Sequence, residues 1–292
     1  MNKTLSPLRY PGGKAIFLPI FQKVCLKNKI KTFIESYCGG SGLSLSLIAN
    51  KVVDKVIIGD SDPLVASFWN QVLKNNIDIL TSKILNTNID IETYLEQKEI
   101  YDNFKIGKRY SQIDLAYCFL FRNRTNRAGL IKAGPIGGYL QDNPDYDVKV
   151  RFNKENIINR IIRINSYSKK KKIKFKHLDS LLMLEKYKKT ERTLFYLDPP
   201  YYKEGKNLYD SFYKEKDHLE LNKKLKKLKS KINFILSYDD AEKIKDMYKG
   251  FKSVKISKVS HVANAKTQLE LLFYSDNIHI PNIISKVPVI IK

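Results

Sequence analysis

The sequence predicts an α/β fold in which helices wrap a parallel sheet and an insertion interrupts the sheet. Short apolar runs alternate with helix-periodic segments in both halves of the chain, and this order is typical of parallel strands joined by crossover helices. Residues 122–153 differ, because they are rich in Gly, Asn, Pro and Arg and show little periodicity. We therefore expect a sheet domain in two parts, 1–62 and 166–292, with an insertion at 63–165.

The first elements define the sheet. A strand at Thr32–Glu35 leads through a Gly-rich turn into a helix at Leu43–Ala49, and a second strand, Lys55–Gly59, ends at Asp60. This order begins a doubly wound sheet, whose ligands bind beyond the carboxyl ends of the strands. The remaining predicted elements are helical patterns at 64–103 and 115–121, helices at 156–165, 181–187, 217–229 and 240–248, and strands at 172–175, 193–197, 233–237 and 268–274.

The chain carries far more basic than acidic side chains. Among its 292 residues, 53 Lys and Arg stand against 30 Asp and Glu, a formal net charge of +23. Charge of one sign in this amount attracts a polyanion, so nucleic acid is the expected partner. The alternative is a coding bias toward Lys, Ile and Asn. The lysines of the helix at 217–229 are expected to form a solvated face.

Cysteine usage and hydropathy favour a cytoplasmic protein. Cys25, Cys38 and Cys118 are scattered, with no metal-ligand spacing and no disulfide framework, which fits a reducing compartment. Residues 1–10 contain no apolar signal core, and no run reaches the length of a membrane span. We expect no bound metal and no membrane contact.

The tetrapeptide Asp198-Pro199-Pro200-Tyr201 follows the apolar run 193–197. Two prolines cannot extend a ladder or begin a helix freely, so the chain leaves the sheet stiff and extended. A carboxylate, the Pro199 carbonyl and an aromatic face then surround one small space, which suits a flat heterocycle bearing an amino group. The alternative is an ordinary turn in which Pro200 and Tyr201 only pack.

A cofactor site is predicted at the turn Gly39-Gly40-Ser41-Gly42. The turn lacks the G-x-G-x-x-G spacing of a pyrophosphate site, but it offers close backbone approach and N–H groups at a helix start. Asp60 can accept hydrogen bonds from ribose hydroxyls. A nucleoside without pyrophosphate, such as S-adenosylmethionine, therefore suits the Gly-rich turn and Asp60 better than NAD does. The alternative is a plain turn, with Asp60 as a helix cap.

The segment Tyr10-Pro11-Gly12-Gly13-Lys14 is expected to form a tight turn. Its lysine can neutralise a ligand carboxylate, and its tyrosine can pack against a sulfonium as a cation–π partner. A plain surface turn is the alternative.

In their order along the chain, these motifs resemble the Dam-type class of DNA adenine-N6 methyltransferases, and the resemblance runs nearly from end to end. It also takes in Asn207-Leu208-Tyr209, Asp217-His218, Ser237-Tyr238-Asp239 and Glu270-Leu271-Leu272. Ser36 and Ser41 depart from the pattern, which more often has Pro and a small residue or Ala there, but no carboxylate or ring is lost.

The resemblance implies a Rossmann-like, S-adenosylmethionine-dependent methyltransferase sheet with a mainly helical and irregular target-recognition insertion. It implies double-stranded DNA as substrate and leaves open the target sequence, a cognate restriction endonuclease and the oligomeric state. The cofactor contacts that it carries over are Tyr10, Lys14, Asp60 and Asp198, with Glu35, Gly39 and Gly40 lining the same pocket and Asp179 reaching the cofactor's adenine.

The expected catalytic residues are Asp198, Pro199, Pro200 and Tyr201. The Asp198 carboxylate and the Pro199 carbonyl would accept the amino hydrogens, so that the nitrogen lone pair points at the methyl group. Tyr201 would stack on an adenine flipped out of the duplex. The alternatives are cytosine-N4 methylation, a catalytically silent DNA-binding subunit, and an RNA methyltransferase. Methylation of a cytosine carbon needs a thiolate, and no cysteine lies near the tetrapeptide.

Six side chains of the insertion are predicted to bind DNA, because Arg pairs with guanine, Asn pairs with adenine, and Arg and Lys also hold phosphates. They are Arg122, Asn123, Arg124, Asn126, Arg127 and Lys132. Of these, Arg124, Arg127 and Lys132 are expected to face the DNA. The alternative for Arg122 and Arg124 is a structural salt bridge.

Overall fold

The computed structural model describes residues 5–10, 12–202, 213–259, 267–281 and 289–290. The predicted motif Asn207-Leu208-Tyr209 lies outside the described residues. The chain divides into two compact units, and both are discontinuous in sequence. The first unit comprises residues 1–13 and 60–177, and the second comprises residues 14–59 and 178–292.

Strands and helices alternate along much of the chain. The strands are β1 (Thr32–Glu35), β2 (Lys55–Asp60), β3 (Ile173–His177), β4 (Thr193–Leu197), β5 (Asn233–Asp239), β6 (Lys252–Val259), β7 (Thr267–Tyr274) and β8 (Val289–Ile290). The helices are α1 (Leu18–Lys27), α2 (Gly42–Ala49), α3 (Pro63–Val72), α4 (Asp78–Asn86), α5 (Ile91–Lys105), α6 (Gln112–Thr125), α7 (Lys154–Lys169), α8 (Ser180–Tyr187), α9 (Glu215–Leu228) and α10 (Glu242–Met247). Within the described ranges, none of these helices is long and apolar enough to cross a membrane.

The second unit is a mixed sheet with helices packed on it. Its strands lie in the order β2-β1-β4-β5-β7-β6-β8. The strands β2, β1, β4 and β5 are parallel to one another, whereas β7 is antiparallel to both β5 and β6. The expectation of a purely parallel sheet is therefore wrong for β7. Only residues 260–266 separate β6 from β7, which is too short for the crossover that parallel neighbours need.

The central strand β4 positions the tetrapeptide. Its sequence is mostly apolar and every residue is buried, as expected for a strand covered on both faces. Because β1, β4 and β5 are parallel, their carboxyl ends lie at the same edge of the sheet. The antiparallel strand β7 brings Glu270 to this edge as well, opposite Asp239 of β5. We call this the carboxyl edge.

The first unit is mostly helical. Asp62 caps α3, because its Oδ1 accepts hydrogen bonds from the backbone N–H groups of Leu64 (2.7 Å) and Val65 (3.2 Å). Helix α6 continues to Thr125, so residues 122–125 are helical rather than irregular. In residues 126–153, all of which are described, the structure holds only a 3₁₀ helix, Arg127–Gly129, and an isolated bridge from Asn126 to Pro135. The rest of the predicted irregular segment is confirmed.

The N-terminal residues 5–10 are tied to the first unit, and we call them the N-terminal strap. The backbone N–H of Arg9 donates to Asn123 Oδ1, and Asn123 Nδ2 donates back to the Arg9 carbonyl, both at 2.7 Å. Arg160 Nη1 donates to the Ser6 carbonyl at 2.7 Å. Gly129 has φ +75°, and a Cβ there would lie 2.4 Å from the Arg9 carbonyl oxygen. The strap can therefore lie this close only because residue 129 is glycine.

Candidate active site

Asp198 follows β4 directly and is hydrogen-bonded through both carboxylate oxygens. Lys14 Nζ lies 2.8 Å from Oδ2, and Ser237 Oγ donates to Oδ1 at 2.6 Å. Ser237 Oγ also lies 2.9 Å from the hydroxyl of Tyr196. The side chains of Lys14 and Asp198 are 6% and 19% exposed, so solvent screens this ion pair weakly. The carboxylate is held in one orientation, and an oxygen has a second lone pair for a further donor.

Lys14 connects Asp198 with two other side chains of the carboxyl edge. Its Nζ lies 4.0 Å from Glu270 Oε1 and 4.9 Å from the centroid of the Tyr201 ring. Burial, followed by the charges of Asp198 and Glu270, raises the pKa of Tyr201 well above its usual value. The Tyr201 hydroxyl therefore stays protonated. Asp198, Lys14, Tyr201 and Glu270 form one cluster in the second unit.

Glu35 ends β1 at the same edge and is only 4% exposed. Its Oε2 accepts hydrogen bonds from Ser44 Oγ (2.6 Å) and Ser41 Oγ (3.0 Å). Burial raises the pKa of Glu35 to about 7; the two serine hydrogen bonds oppose this shift, and the charge of Asp198 adds to it. Glu35 therefore exchanges its proton near neutral pH.

The Gly-rich turn between β1 and α2 contains two residues with left-handed backbone, Gly39 (φ +41°) and Ser41 (φ +50°). Ser41 is unusual there because it has a Cβ, and its hydroxyl is held by Glu35. Gly39 and Gly40 are buried, and the backbone N–H of Cys38 donates to the Gly59 carbonyl at 2.9 Å. The turn is fixed at the carboxyl edge by these contacts.

Three predicted cofactor residues make hydrogen bonds within the protein. Asp179 caps α8, accepting from the backbone N–H of Leu182 at 3.0 Å. Asp60 belongs to the first unit, where its Oδ1 accepts from the backbone N–H of Asp62 at 3.0 Å. Tyr10 also belongs to the first unit, and its carbonyl accepts from the N–H of Gly13 at 3.1 Å, which closes the predicted tight turn. Their roles toward a cofactor stay predictions.

An aromatic cluster holds the chain on either side of residues 203–212. The Tyr202 ring lies 5.3 Å and the Tyr213 ring 4.8 Å from the His218 ring. His218 Nδ1 lies 2.6 Å from the Tyr238 hydroxyl, and Tyr213 shares a 2.6 Å hydrogen bond with Tyr37. Burial lowers the pKa of His218 to about 4, so its ring is neutral at neutral pH. Tyr202 and Tyr213 therefore pack against an uncharged imidazole ring.

Three of the six predicted DNA-binding side chains are engaged by the protein itself. Asn123 and Asn126 are fully buried, and Arg122 is 3% exposed. Asn126 Nδ2 donates to the carbonyls of Leu130 (2.7 Å) and Ile131 (2.8 Å). Arg122 Nη2 also donates to the Ile131 carbonyl, at 2.7 Å, while Asn123 holds the N-terminal strap. These side chains shape the loop after α6, and their expected contact with DNA stays a prediction.

The other three are more accessible. Arg127 and Lys132 are exposed, and Arg124 is partly buried. Burial and the charges of Arg9, Arg160 and Arg151 lower the pKa of Arg124 to about 10, and Arg9 Nη1 donates to the Arg124 carbonyl at 3.4 Å. The four arginines concerned are Arg9, Arg124, Arg151 and Arg160. We call them the arginine cluster.

Within the described residues, neither Arg122 nor Arg124 forms an ion pair, so the alternative of structural salt bridges is wrong in this part of the structure. Arg122 instead lies over the ring of Tyr101, with its Cζ 4.8 Å from the ring centroid.

The sequence analysis assigns no individual role to two residues of the site. Ser237 and Glu270 entered only as parts of the family resemblance, although both are polar residues inside apolar strands. Ser237 is fully buried and Glu270 is 3% exposed. A carboxylate at a buried strand position requires a partner, and this pattern was the available signal.

Covalent catalysis by a cysteine is not supported. Cys25, Cys38 and Cys118 are free thiols and all three are buried. Burial raises the pKa of Cys25 and of Cys118 to about 12, so both remain protonated at neutral pH. A protonated, buried thiol is a poor nucleophile.

The mixed sheet and the acidic carboxyl edge define a Rossmann-like methyltransferase. The chain belongs to the D12 class of N6 adenine-specific DNA methyltransferases, whose family model matches residues 10–262. It is therefore an enzyme that methylates adenine in DNA. The match favours neither cytosine-N4 methylation nor a silent subunit.

Comparison with solved structures gives distant similarity. Two structures of the rRNA methyltransferase AviRa from Streptomyces viridochromogenes match most of the chain. One is 12% identical with a TM-score of 0.42, covering 92% of this chain and 88% of that chain. The other is 14% identical with a TM-score of 0.38, covering 88% and 83%. No curated protein sequence matches this chain.

Proposed function

We propose that this enzyme transfers a methyl group from S-adenosylmethionine to N6 of an adenine flipped out of duplex DNA. One observation carries the proposal, namely the carboxylate of Asp198, which is fixed through both oxygens at the end of a buried central strand. An acceptor held in advance costs no reorganisation when the amino group arrives. Residues 63–165 are the proposed target-recognition insertion, and the cytoplasm is the proposed location.

The residues of the carboxyl edge suit S-adenosylmethionine, which supplies a methyl group on a positively charged sulfur. Two carboxylates, those of Asp198 and Glu270, lie near the ammonium group of Lys14 there, and a third, that of Glu35, lies near enough to Asp198 for the charge of Asp198 to raise the pKa of Glu35. This excess of negative charge favours a sulfonium, and Lys14 is the proposed partner for the ligand's carboxylate. The further proposed contacts are Tyr10 at the sulfonium, the buried turn at Gly39 and Gly40, Asp60 at the ribose and Asp179 at the adenine.

The proposed roles of the tetrapeptide follow from hydrogen-bond chemistry. The adenine amino nitrogen is a weak nucleophile because its lone pair is delocalised into the ring. Asp198 and the Pro199 carbonyl accept its two hydrogens, which turns the lone pair toward the methyl carbon. S-adenosylmethionine, when bound, would supply the methyl group from its sulfonium, and Asp198 would be the adjacent acceptor for the proton that the methylated nitrogen loses. Tyr201 stacks on the flipped base, contributing about 1–3 kcal/mol.

The test is methyl incorporation from labelled S-adenosylmethionine into duplex DNA, followed by digestion to nucleosides. We expect N6-methyladenine from the native enzyme. Asp198→Ala should lower the rate by at least about 10²–10³-fold, because the oriented acceptor is lost, with an unchanged circular dichroism spectrum. Glu220→Gln, which removes an exposed carboxylate of α9, is the control and should be fully active. Native activity in Asp198→Ala would refute the proposed role.

The DNA surface is proposed to include Arg124, Arg127 and Lys132, joined by the other members of the arginine cluster. Arg9 Nη1 donates to the Asn126 carbonyl at 3.1 Å, so the strap brings its guanidinium to the end of α6. Four neighbouring positive charges repel one another, and a phosphodiester placed among them relieves that repulsion. Phosphate is therefore the proposed ligand of this cluster, while Arg127 and Lys132 project from the loop after α6.

A further inference from the structure

Glu270 is a charged residue at a position that normally excludes charge. It lies in the apolar sequence Leu269-Glu270-Leu271-Leu272 of β7 and is only 3% exposed. An ionised carboxylate at such a position is costly unless a cation lies close by. Lys14 is such a cation, with its Nζ 4.0 Å from Glu270 Oε1.

Lys14 is thus placed between two carboxylates, and the two contacts are unequal. Its Nζ is in direct contact with Asp198 at 2.8 Å and is further from Glu270 at 4.0 Å. The shorter contact opposes the proposed chemistry, because an ammonium on Oδ2 weakens Asp198 as an acceptor for a neutral amino group. The acceptor strengthens if Lys14 moves away from Asp198 while its charge remains balanced.

We propose that Glu270 is a positioning residue that receives Lys14 when the adenine amino group binds to Asp198. The inference rests on the proposed acceptor role of Asp198. A lysine side chain has several rotatable bonds and three N–H donors, so its ammonium can shift from one carboxylate to the other without movement of the strands. Tyr201 lies under the ammonium throughout, since its ring is 4.9 Å from Nζ.

Removal of the Glu270 charge should slow the chemical step while substrate binding stays intact. In Glu270→Gln, Asp198 is the remaining carboxylate of the pair for Lys14, so the ammonium stays on Oδ2. We expect the single-turnover rate with labelled S-adenosylmethionine and duplex DNA to fall about 10–100-fold. The KM values for DNA and for S-adenosylmethionine should stay within about twofold of native. A purely structural role for Glu270 would not separate the rate from the two KM values in this way.

Two further variants test the mechanism. In a Lys14→Met background there is no ammonium group for Glu270 to receive. Glu270→Gln should therefore cause no further loss of rate in that background. Such non-additivity is expected of residues that act as a unit. Glu270→Asp keeps the charge and should lose less activity than Glu270→Gln. Glu220→Gln again serves as the charge-matched control, because it removes the charge of an exposed carboxylate on α9.

Several results would overturn the inference. The first is a single-turnover rate of Glu270→Gln within twofold of the native rate. The second is a loss of rate on Glu270→Gln that is as large in the Lys14→Met background as in the native enzyme. The third is a folded Glu270→Asp variant that is as slow as Glu270→Gln. If Glu270→Gln fails to fold, Glu270→Asp is compared in the native and Lys14→Met backgrounds. A loss of rate that disappears in the Lys14→Met background supports the inference, and no loss, or an equal loss in both backgrounds, overturns it. An active Asp198→Ala would instead refute the proposed function itself, whereas an inactive Asp198→Ala with a native-like Glu270→Gln refutes only this inference.

Discussion

Replacement of Glu35 by glutamine should remove a pH-dependent part of the protein's stability. Glu35 is 4% exposed, and burial raises its pKa from 4.5 in the unfolded chain to about 7. The folded protein therefore holds a proton on Glu35 over a pH range in which the unfolded chain has lost it. Glutamine has nearly the same shape and can accept the hydrogen bonds of Ser41 and Ser44, but it cannot ionise.

The size of the effect follows from linkage. Because the folded pKa is raised, the stabilisation from the bound proton is lost as the pH increases from the unfolded pKa to the folded pKa. A shift of one pKa unit corresponds to about 1.4 kcal/mol. Between about pH 5 and about pH 7.5, the free energy of unfolding of the native protein should therefore fall by about 2.5 kcal/mol relative to Glu35→Gln. Above this range, both states are ionised and the difference should level off.

Urea unfolding monitored by circular dichroism at several pH values measures this difference directly. The informative quantity is native minus Glu35→Gln at each pH, since other titrating groups cancel. Glu220→Gln, at an exposed position, should show a flat difference over the same range. A difference between native and Glu35→Gln that varies by less than about 0.5 kcal/mol would refute the argument from burial.

Two other predictions concern the first unit. Gly129→Ala should lower the free energy of unfolding by about 2–4 kcal/mol, because its Cβ would lie 2.4 Å from the Arg9 carbonyl oxygen. Gly138→Ala, at a similar φ of +78° but with nothing within 4 Å, should cost only about 1 kcal/mol, and equal losses in urea unfolding would contradict the packing argument. Arg124→Ala should weaken duplex DNA binding and reduce the slope of log K against log salt by about 1; a slope change no larger than that of the exposed control Arg109→Ala would argue against a phosphate contact.

The sequence predicted the site best where function depends on neighbours along the chain. The strands β1 and β4 have the predicted bounds. The two prolines after Asp198 predict a stiff segment that holds the Asp198 carboxylate in place. The sequence does not predict strand β6, because three lysines interrupt its apolar pattern, at Lys252, Lys255 and Lys258. The pairing of β5 with β7, which brings Glu270 to the site, depends on contacts distant in sequence.

The DNA-binding prediction shows a different limit of sequence reasoning. Residue type indicated which side chains can contact bases, but an asparagine amide matches a peptide group as well as it matches adenine. The Nδ2 atoms of Asn123 and Asn126 donate to backbone carbonyls of the protein. Their spacing on α6 gave no sign of this, because their partners belong to the strap and to the loop that follows the helix.

The N-terminal strap supplies hydrogen-bond partners that the rest of the first unit needs. A polypeptide of residues 60–177 alone would leave the Asn123 amide without the Arg9 backbone and Arg160 without the Ser6 carbonyl. Supplying residues 5–10 in trans, or joining them to residue 177 by a linker, would restore those bonds. The strap therefore acts toward this unit as a tethered peptide ligand.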